Sequence, residues 1–183
     1  MKFTTLAIPD ILVFEPEVLE DQRGFFFESF NQSGFDKVMG RKITFVQDNH
    51  SKSIKGVLRG LHFQLPPKGQ GKLIRVIQGQ IYDVAVDLRK TSPSFGHWVG
   101  EMLSADNKKQ IWIPEGFAHG FITLSDDSEV LYKATDFYSP IHEQCLIWND
   151  PEINVMWPHT ENDYIFSDKD TKGKLLSDLA LFN

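Results

Sequence analysis

Hydrophobic side chains in this chain recur at every second residue, and that period excludes most helical architectures before any motif is considered. Residues 72–78, then Gly79, then residues 80–88 read as two strands punctuated by a glycine. In the second, Tyr82, Val84, Val86 and Leu88 face one way and Asp83 and Asp87 the other, the pattern of a half-buried antiparallel strand. The same reading predicts short strands over 11–18, 25–30, 44–49, 57–64, 98–103, 110–113, 120–124 and 130–135. Turn signals stand between them at Pro66-Pro67, Ser92-Pro93, Ser125-Asp126-Asp127 and Ser139-Pro140. Many short strands at close spacing predict an all-β fold, a jelly-roll barrel of two antiparallel sheets. Helices are expected only at the periphery, over 33–39 and near the end, where Leu175, Leu176, Leu179 and Phe182 fall at helical intervals. At 183 residues and 41% hydrophobic, the chain suits one domain spanning 1–183.

Composition narrows the partners. No apolar run approaches the roughly 18–20 residues that cross a bilayer, and the first ten residues meet Pro9 and Asp10 too early for a secretion signal, so no membrane contact and a cytoplasmic location are expected. A formal charge of −6 argues against nucleic acid, whose phosphates require a surplus of Lys and Arg on one face. A small anionic ligand needs only two or three cations in one pocket and is not excluded. The single Cys145 lies in the apolar run Cys145-Leu146-Ile147-Trp148 and is expected to be a buried small hydrophobe.

The common cofactor motifs are missing. Around Lys68-Gly69-Gln70-Gly71-Lys72 the first glycine of a phosphate loop is absent and Leu73 stands where Ser or Thr belongs. No G-x-G-x-x-G links a strand to a helix. The six histidines show neither H-x-H nor H-x-x-x-H, the intervals that set two metal ligands on one face. The segment Ile113-Pro114-Glu115-Gly116-Phe117-Ala118-His119-Gly120-Phe121 resembles the second block of the cupin barrels. Where metal-binding cupins carry H-x-H and Glu, this chain has only His62-Phe63-Gln64. Neither metal nor cofactor is therefore expected.

In the strand at 57–64, alternation sets Gly60, His62 and Gln64 on one face and Leu61 and Phe63 on the other. Polar residues recur in other alternating strands: Lys72 and Arg75, Tyr132 and Lys133, then Tyr138. A barrel interior receiving them would be a polar pocket with convergent titratable groups, the usual form of an active site.

Seven strings, in order, resemble dTDP-4-dehydrorhamnose 3,5-epimerases over nearly the whole chain. They are residues 59–64, 71–73, 83–89, 113–121, 131–135 (Leu131-Tyr132-Lys133-Ala134-Thr135), 138–140 and 147–151 (Ile147-Trp148-Asn149-Asp150-Pro151). The resemblance implies an isomerase that inverts C3 and C5 of a dTDP-4-keto-6-deoxyhexose by removing and returning protons. It implies His62 as the base, Asp170 rather than Asp168 as the carboxylate behind it, Lys72 at the enolate oxygen, and Tyr132, or secondarily Tyr138, as the proton donor. It further implies Arg23, Phe26, Glu28, Gln47, Asn49, Arg59, His119, Glu143 and Lys169 around the substrate, and a homodimer whose amino-terminal strands reach the partner's site. Relatives that invert C3 or C5 alone on other dTDP-4-keto sugars remain the alternative, with a non-catalytic sugar-binding cupin the more remote one.

Overall fold

The computed structural model describes residues 2–160 and 163–182. Thirteen strands among them are β1 (Lys2–Thr5), β2 (Leu12–Glu15), β3 (Leu19–Asp21), β4 (Gly24–Phe26), β5 (Gln47–Ile54), β6 (Leu58–Gln64) and β7 (Lys72–Gln78), followed by β8 (Gln80–Asp87), β9 (Trp98–Ser104), β10 (Gln110–Ile113), β11 (Phe117–Thr123), β12 (Asp127–Ala134) and β13 (Glu143–Cys145). Two antiparallel sheets, ordered β1-β2-β10-β7-β12-β5 and β13-β6-β11-β8-β9, form the expected all-β jelly-roll architecture, and β3 and β4 make a separate hairpin. Helix α1 (Gln32–Met39) lies where a helix was expected. Asn31 caps it by accepting from the Gly34 N–H, and Gly40 closes it at φ 66°. No helix among the described residues is long and apolar enough to cross a membrane.

Three apolar layers follow from the strand period. Between the sheets lie Ile11, Val13, Ile74, Val76, Ile81, Ala85, Ile111 and their neighbours. Outside the six-stranded sheet, Phe35 of α1 meets Phe14 and Trp112, the latter edge-on with ring centroids 5.4 Å apart. Outside the five-stranded sheet, the carboxy-terminal segment covers Leu58, Leu61, Phe63, Val84, Val86 and Leu88 with Leu146, Trp157, Leu176, Leu179 and Phe182.

That third layer corrects two expectations. Strand β8 is buried on both faces, because the tail covers the Val84–Val86–Leu88 side while Asp83 and Asp87 point inward at 0% exposure. The tail itself is not a helix over 175–182. Only a one-turn 3-10 helix (Leu176–Asp178) forms, and Phe182 then pairs with Arg89 as a bridge, so Leu176, Leu179 and Phe182 are buried by a mostly extended path along the sheet while Leu175 stays exposed. A second short helix, α2 (Asp168–Thr171), precedes it.

One irregularity places the functional residues. His119 pairs with His62 while Phe121 pairs with Arg59, so two steps along β11 match three along β6. The extra residue is a bulge at Gly60 and Leu61, and it breaks strict alternation: Arg59 and His62, three apart, both face the sheet interior. Gly60 adopts φ 125°, and a Cβ there would come within 2.5 Å of Gly120 Cα and 2.8 Å of the His119 carbonyl oxygen. Gly60→Ala is expected to lower stability by at least about 2 kcal/mol, since left-handed strain and a backbone clash act together. Chemical denaturation would measure it, and an unshifted midpoint would show that β6 and β11 separate easily.

Candidate active site

At the β5, β12, β6 and β13 end of the barrel the apolar interior gives way to a cavity of about 330 Å3. Of the residues singled out in the sequence, His62, Lys72, Tyr132, Tyr138, Asp170, Gln47, Asn49, Arg59, His119, Glu143 and Lys169 all line it. They come from six strands (β5, β6, β7, β11, β12 and β13), the loop bearing Tyr138 and α2, so the sheet pairing and the packing of α2 against β6 bring them together.

His62 and Asp170 form the centre. Asp170 is 2% exposed at the first turn of α2, where Oδ2 accepts from the Ser167 hydroxyl at 2.6 Å and from the Ser167 N–H at 3.1 Å in a capping box. Oδ1 accepts from the Gly60 N–H at 3.1 Å and lies 2.9 Å from His62 Nε2. The Nε2 approach is close but off the line of a directed hydrogen bond. These donors hold the Asp170 carboxyl far below the ordinary carboxylate range despite its burial. Burial pulls the His62 imidazole below 6.5, Asp170 pushes it back up, and Lys169 and Lys72 lower it further.

Lys72 starts β7 with its side chain inward, 8% exposed, and Nζ donates to the His62 carbonyl oxygen at 3.4 Å. Burial lowers its ammonium to about 8, opposed first by Asp83 and then by Glu143. Tyr132 is held protonated by burial, which raises its phenol. Tyr138 stands at the exposed mouth and donates to Glu143 Oε2 at 2.7 Å, while Lys169 pairs with Glu143 Oε1. Arg59 is steadied by the Ser53 hydroxyl at 2.9 Å and the Lys52 carbonyl at 3.1 Å.

Several expected placements are different. Arg75 and Lys133, being an odd number of residues from Lys72 and Tyr132, face outward into a separate cavity of about 210 Å3 beside Asp48 and Phe30. Arg23, Phe26 and Glu28 do not line the site of their own chain: Arg23 pairs with Asp21 at 2.5 Å, Phe26 is 71% exposed on the hairpin, and Glu28 accepts from Asn31 at 3.1 Å. Cys145 is half-buried beside His62, not within an apolar layer. Gln64 shares the interior face yet binds loop backbone, donating to the Lys68 and Phe137 carbonyls and accepting from the Ser139 N–H at 2.7 Å, which fixes the loop carrying Tyr138.

Two supporting residues escape a reading of the sequence alone. Asp83, fully buried, has Oδ2 2.9 Å from His119 Nε2 and is the main negative charge acting on Lys72. Its signal was the charge placed inside a strand of apolar neighbours. Ser167 had no signal beyond its place two residues before Lys169.

The family model for dTDP-4-dehydrorhamnose 3,5-epimerase matches residues 5–178. A Pseudomonas aeruginosa dTDP-4-dehydrorhamnose 3,5-epimerase is 57% identical, covering 100% of this chain and 99% of its own. The crystal structure of a Legionella pneumophila dTDP-6-deoxy-D-glucose-3,5-epimerase with dTDP-4-keto-L-rhamnose superimposes at TM-score 0.94 with 45% identity, covering 98% of this chain and 94% of that one. A 3'-monoepimerase from Streptomyces bikiniensis with dTDP-quinovose is more distant, at TM-score 0.88 and 30% identity over 94% of this chain and 87% of that one.

Because Asp170 pushes the imidazole upward against burial, Asp170→Asn is expected to lower the His62 midpoint further. A pH titration of the ring proton by NMR, with the resonance identified through His62→Asn, reads this directly; an unmoved or raised midpoint would contradict the pairing.

Proposed function

The chain belongs to the dTDP-4-dehydrorhamnose 3,5-epimerase family, and from that membership we propose that it converts dTDP-4-dehydro-6-deoxy-glucose to dTDP-4-dehydro-β-L-rhamnose in the cytoplasm. The observation that carries this reading is the His62–Asp170 pair sharing one cavity with Lys72 and Tyr132. The chemistry is that of an isomerase. A C4 ketone acidifies the hydrogens on C3 and C5, so one base, one stabiliser of the enolate and one acid on the opposite face complete the reaction.

His62 is the base. With Nε2 turned to Asp170, Nδ1 is the nitrogen left to take a carbon-bound proton, and the carboxylate stabilises the imidazolium that results. A positioned base of this kind contributes roughly 10²–10⁴ in rate. Lys72 holds the C4 oxygen, where charge appears only as the proton leaves, so its ammonium favours the transition state over the ground state. Tyr132 returns a proton from the other face. Tyr138, exposed at the mouth, is the second candidate donor and closes over the sugar with Glu143. Arg59, Lys169 and His119 supply cationic or N–H groups suited to the diphosphate, while Gln47, Asn49 and Glu143 offer amide and carboxylate edges.

Arg23, Phe26 and Glu28 fit this scheme in a homodimer. The hairpin that carries Arg23 and Phe26 leaves Phe25 61% and Phe26 71% exposed, and apolar rings so placed call for a partner surface. A second copy would receive that hairpin beside its own cavity, setting Phe26 against the base and Arg23 against the phosphates.

Two outcomes follow. In kcat/KM against pH, activity should rise as His62 loses its proton below 6.5 and fall as Lys72 loses its own at about 8. Lys72→Arg should move the alkaline limb upward, and a profile flat through that region would remove Lys72 from the enolate role. In deuterium oxide, product should carry label at C3 and C5, and Tyr132→Phe should depress inversion more than it depresses wash-in of label, because exchange needs only His62 and a persisting enolate. Label at one carbon would favour the single-carbon reaction, the activity named for the Streptomyces bikiniensis relative.

A further inference from the structure

We infer that His62, Asp170 and Cys145 together form a binding site for a thiophilic divalent cation, with Zn2+ as the probe, and that an ion held there silences the enzyme. The sulfur is not brought in by chance. Strand β13 pairs with β6 so that Cys145 stands directly opposite His62, and paired residues of an antiparallel ladder present their side chains on the same face. Asp170 approaches the same point from α2. One donor atom from each residue, a ring nitrogen, a carboxylate oxygen and the thiol sulfur, lies within 4.8 Å of the other two.

The donor set is right for zinc, which takes nitrogen, sulfur and oxygen ligands at bonds of about 2.0–2.3 Å, so that tetrahedral neighbours sit about 3.3–3.8 Å apart. The present separations, within 4.8 Å across the set and 2.9 Å between His62 Nε2 and Asp170 Oδ1, reach that geometry only through side-chain rotation on ligation. A second observation points the same way. His62 Nε2 is buried and makes no directed hydrogen bond, although Asp170 Oδ1 is only 2.9 Å away, so no well-formed hydrogen bond has to be broken for a cation to replace the proton at that nitrogen.

Silencing follows from proton placement. In the free dyad the ring carries its one proton on Nε2 and offers the Nδ1 lone pair. A cation bound at Nε2 takes the place of the proton there, which passes to Nδ1, while the thiol proton leaves to solvent. Nδ1–H has no lone pair to accept a substrate proton. This second half rests on the reading of His62 as base; the metal site does not.

The test separates the two halves. Cobalt(II) added to the intact protein should give a thiolate-to-metal charge-transfer band, displaced by Zn2+, and Zn2+ should inhibit turnover reversibly, with EDTA restoring it. Cys145→Ala, which lies outside the proposed substrate contacts, should keep basal turnover, lose the band and need at least about tenfold more Zn2+ for inhibition. No band in the intact protein, or equal Zn2+ sensitivity in Cys145→Ala, would overturn the site. A band without inhibition would overturn the silencing and the Nδ1 base with it.

Discussion

The Asp170 carboxylate is the point at which the barrel, its tail and its chemistry are tied together. One oxygen caps α2 through Ser167, and the other accepts from Gly60 while facing His62. Those contacts join an element 110 residues downstream to the bulge in β6. Without that bulge Arg59 and His62 could not share a face, and without the tail lying over Leu58, Leu61 and Phe63, α2 would have no reason to sit behind the strand. A buried anion is costly unless hydrogen-bonded, and here a hydroxyl, two backbone N–H groups and an imidazole offset its desolvation.

Charge in the cavity is arranged as alternating signs and not as a single cationic patch. Lys72, Lys169 and Arg59 are balanced by Asp83, Glu143 and Asp170. The arrangement explains how a chain of net charge −6 can receive an anionic nucleotide sugar: the cations are concentrated locally, Lys169 paired with Glu143, Lys72 within the field of Asp83, and Arg59 held by the Ser53 hydroxyl and the Lys52 carbonyl. Asp83 matters most in this respect. It opposes the loss of charge that burial imposes on Lys72, and it does so from the opposite sheet, beneath His119.

Much of this was legible in the sequence because the period-two signal is strong where one face is apolar. Strands β6 to β12 fall close to their expected spans, and alternation put His62 inside. The failures share a cause. Strand β1 was not expected because Lys2–Thr5 is exposed throughout and carries no pattern, and β13 is only three residues long. The Leu175, Leu176, Leu179 spacing suits a helix, but an extended path buries Leu176 and Leu179 equally well, and the Arg89–Phe182 bridge favours it. Arg59 was matched to the ligand through family resemblance, whereas alternation alone would have turned it outward; a bulge is invisible to any rule that counts residues. Asp170, unlike His62, could be found only through resemblance, since a carboxylate among Asp168, Lys169 and Asp170 has no periodic signature.

The division of the barrel interior also explains why the site can be polar without dissolving the fold. At the β2, β10 and β9 end the sheets interdigitate Val13, Ile111, Val99 and Leu103, and two further apolar layers outside the sheets hold each against α1 and the tail. Stability therefore does not depend on the cavity end being packed. Side chains there are free to be chosen for acid–base chemistry, and the requirement on the fold reduces to fixing backbone: Gln64 pins the Tyr138 loop, Ser53 steadies Arg59, and the Gly60 bulge sets β6 against β11. Gln64 and Ser53 act on different groups, so a change at either should misplace its own functional group while leaving the other in position, whereas a change at Gly60 should displace Arg59 and His62 together.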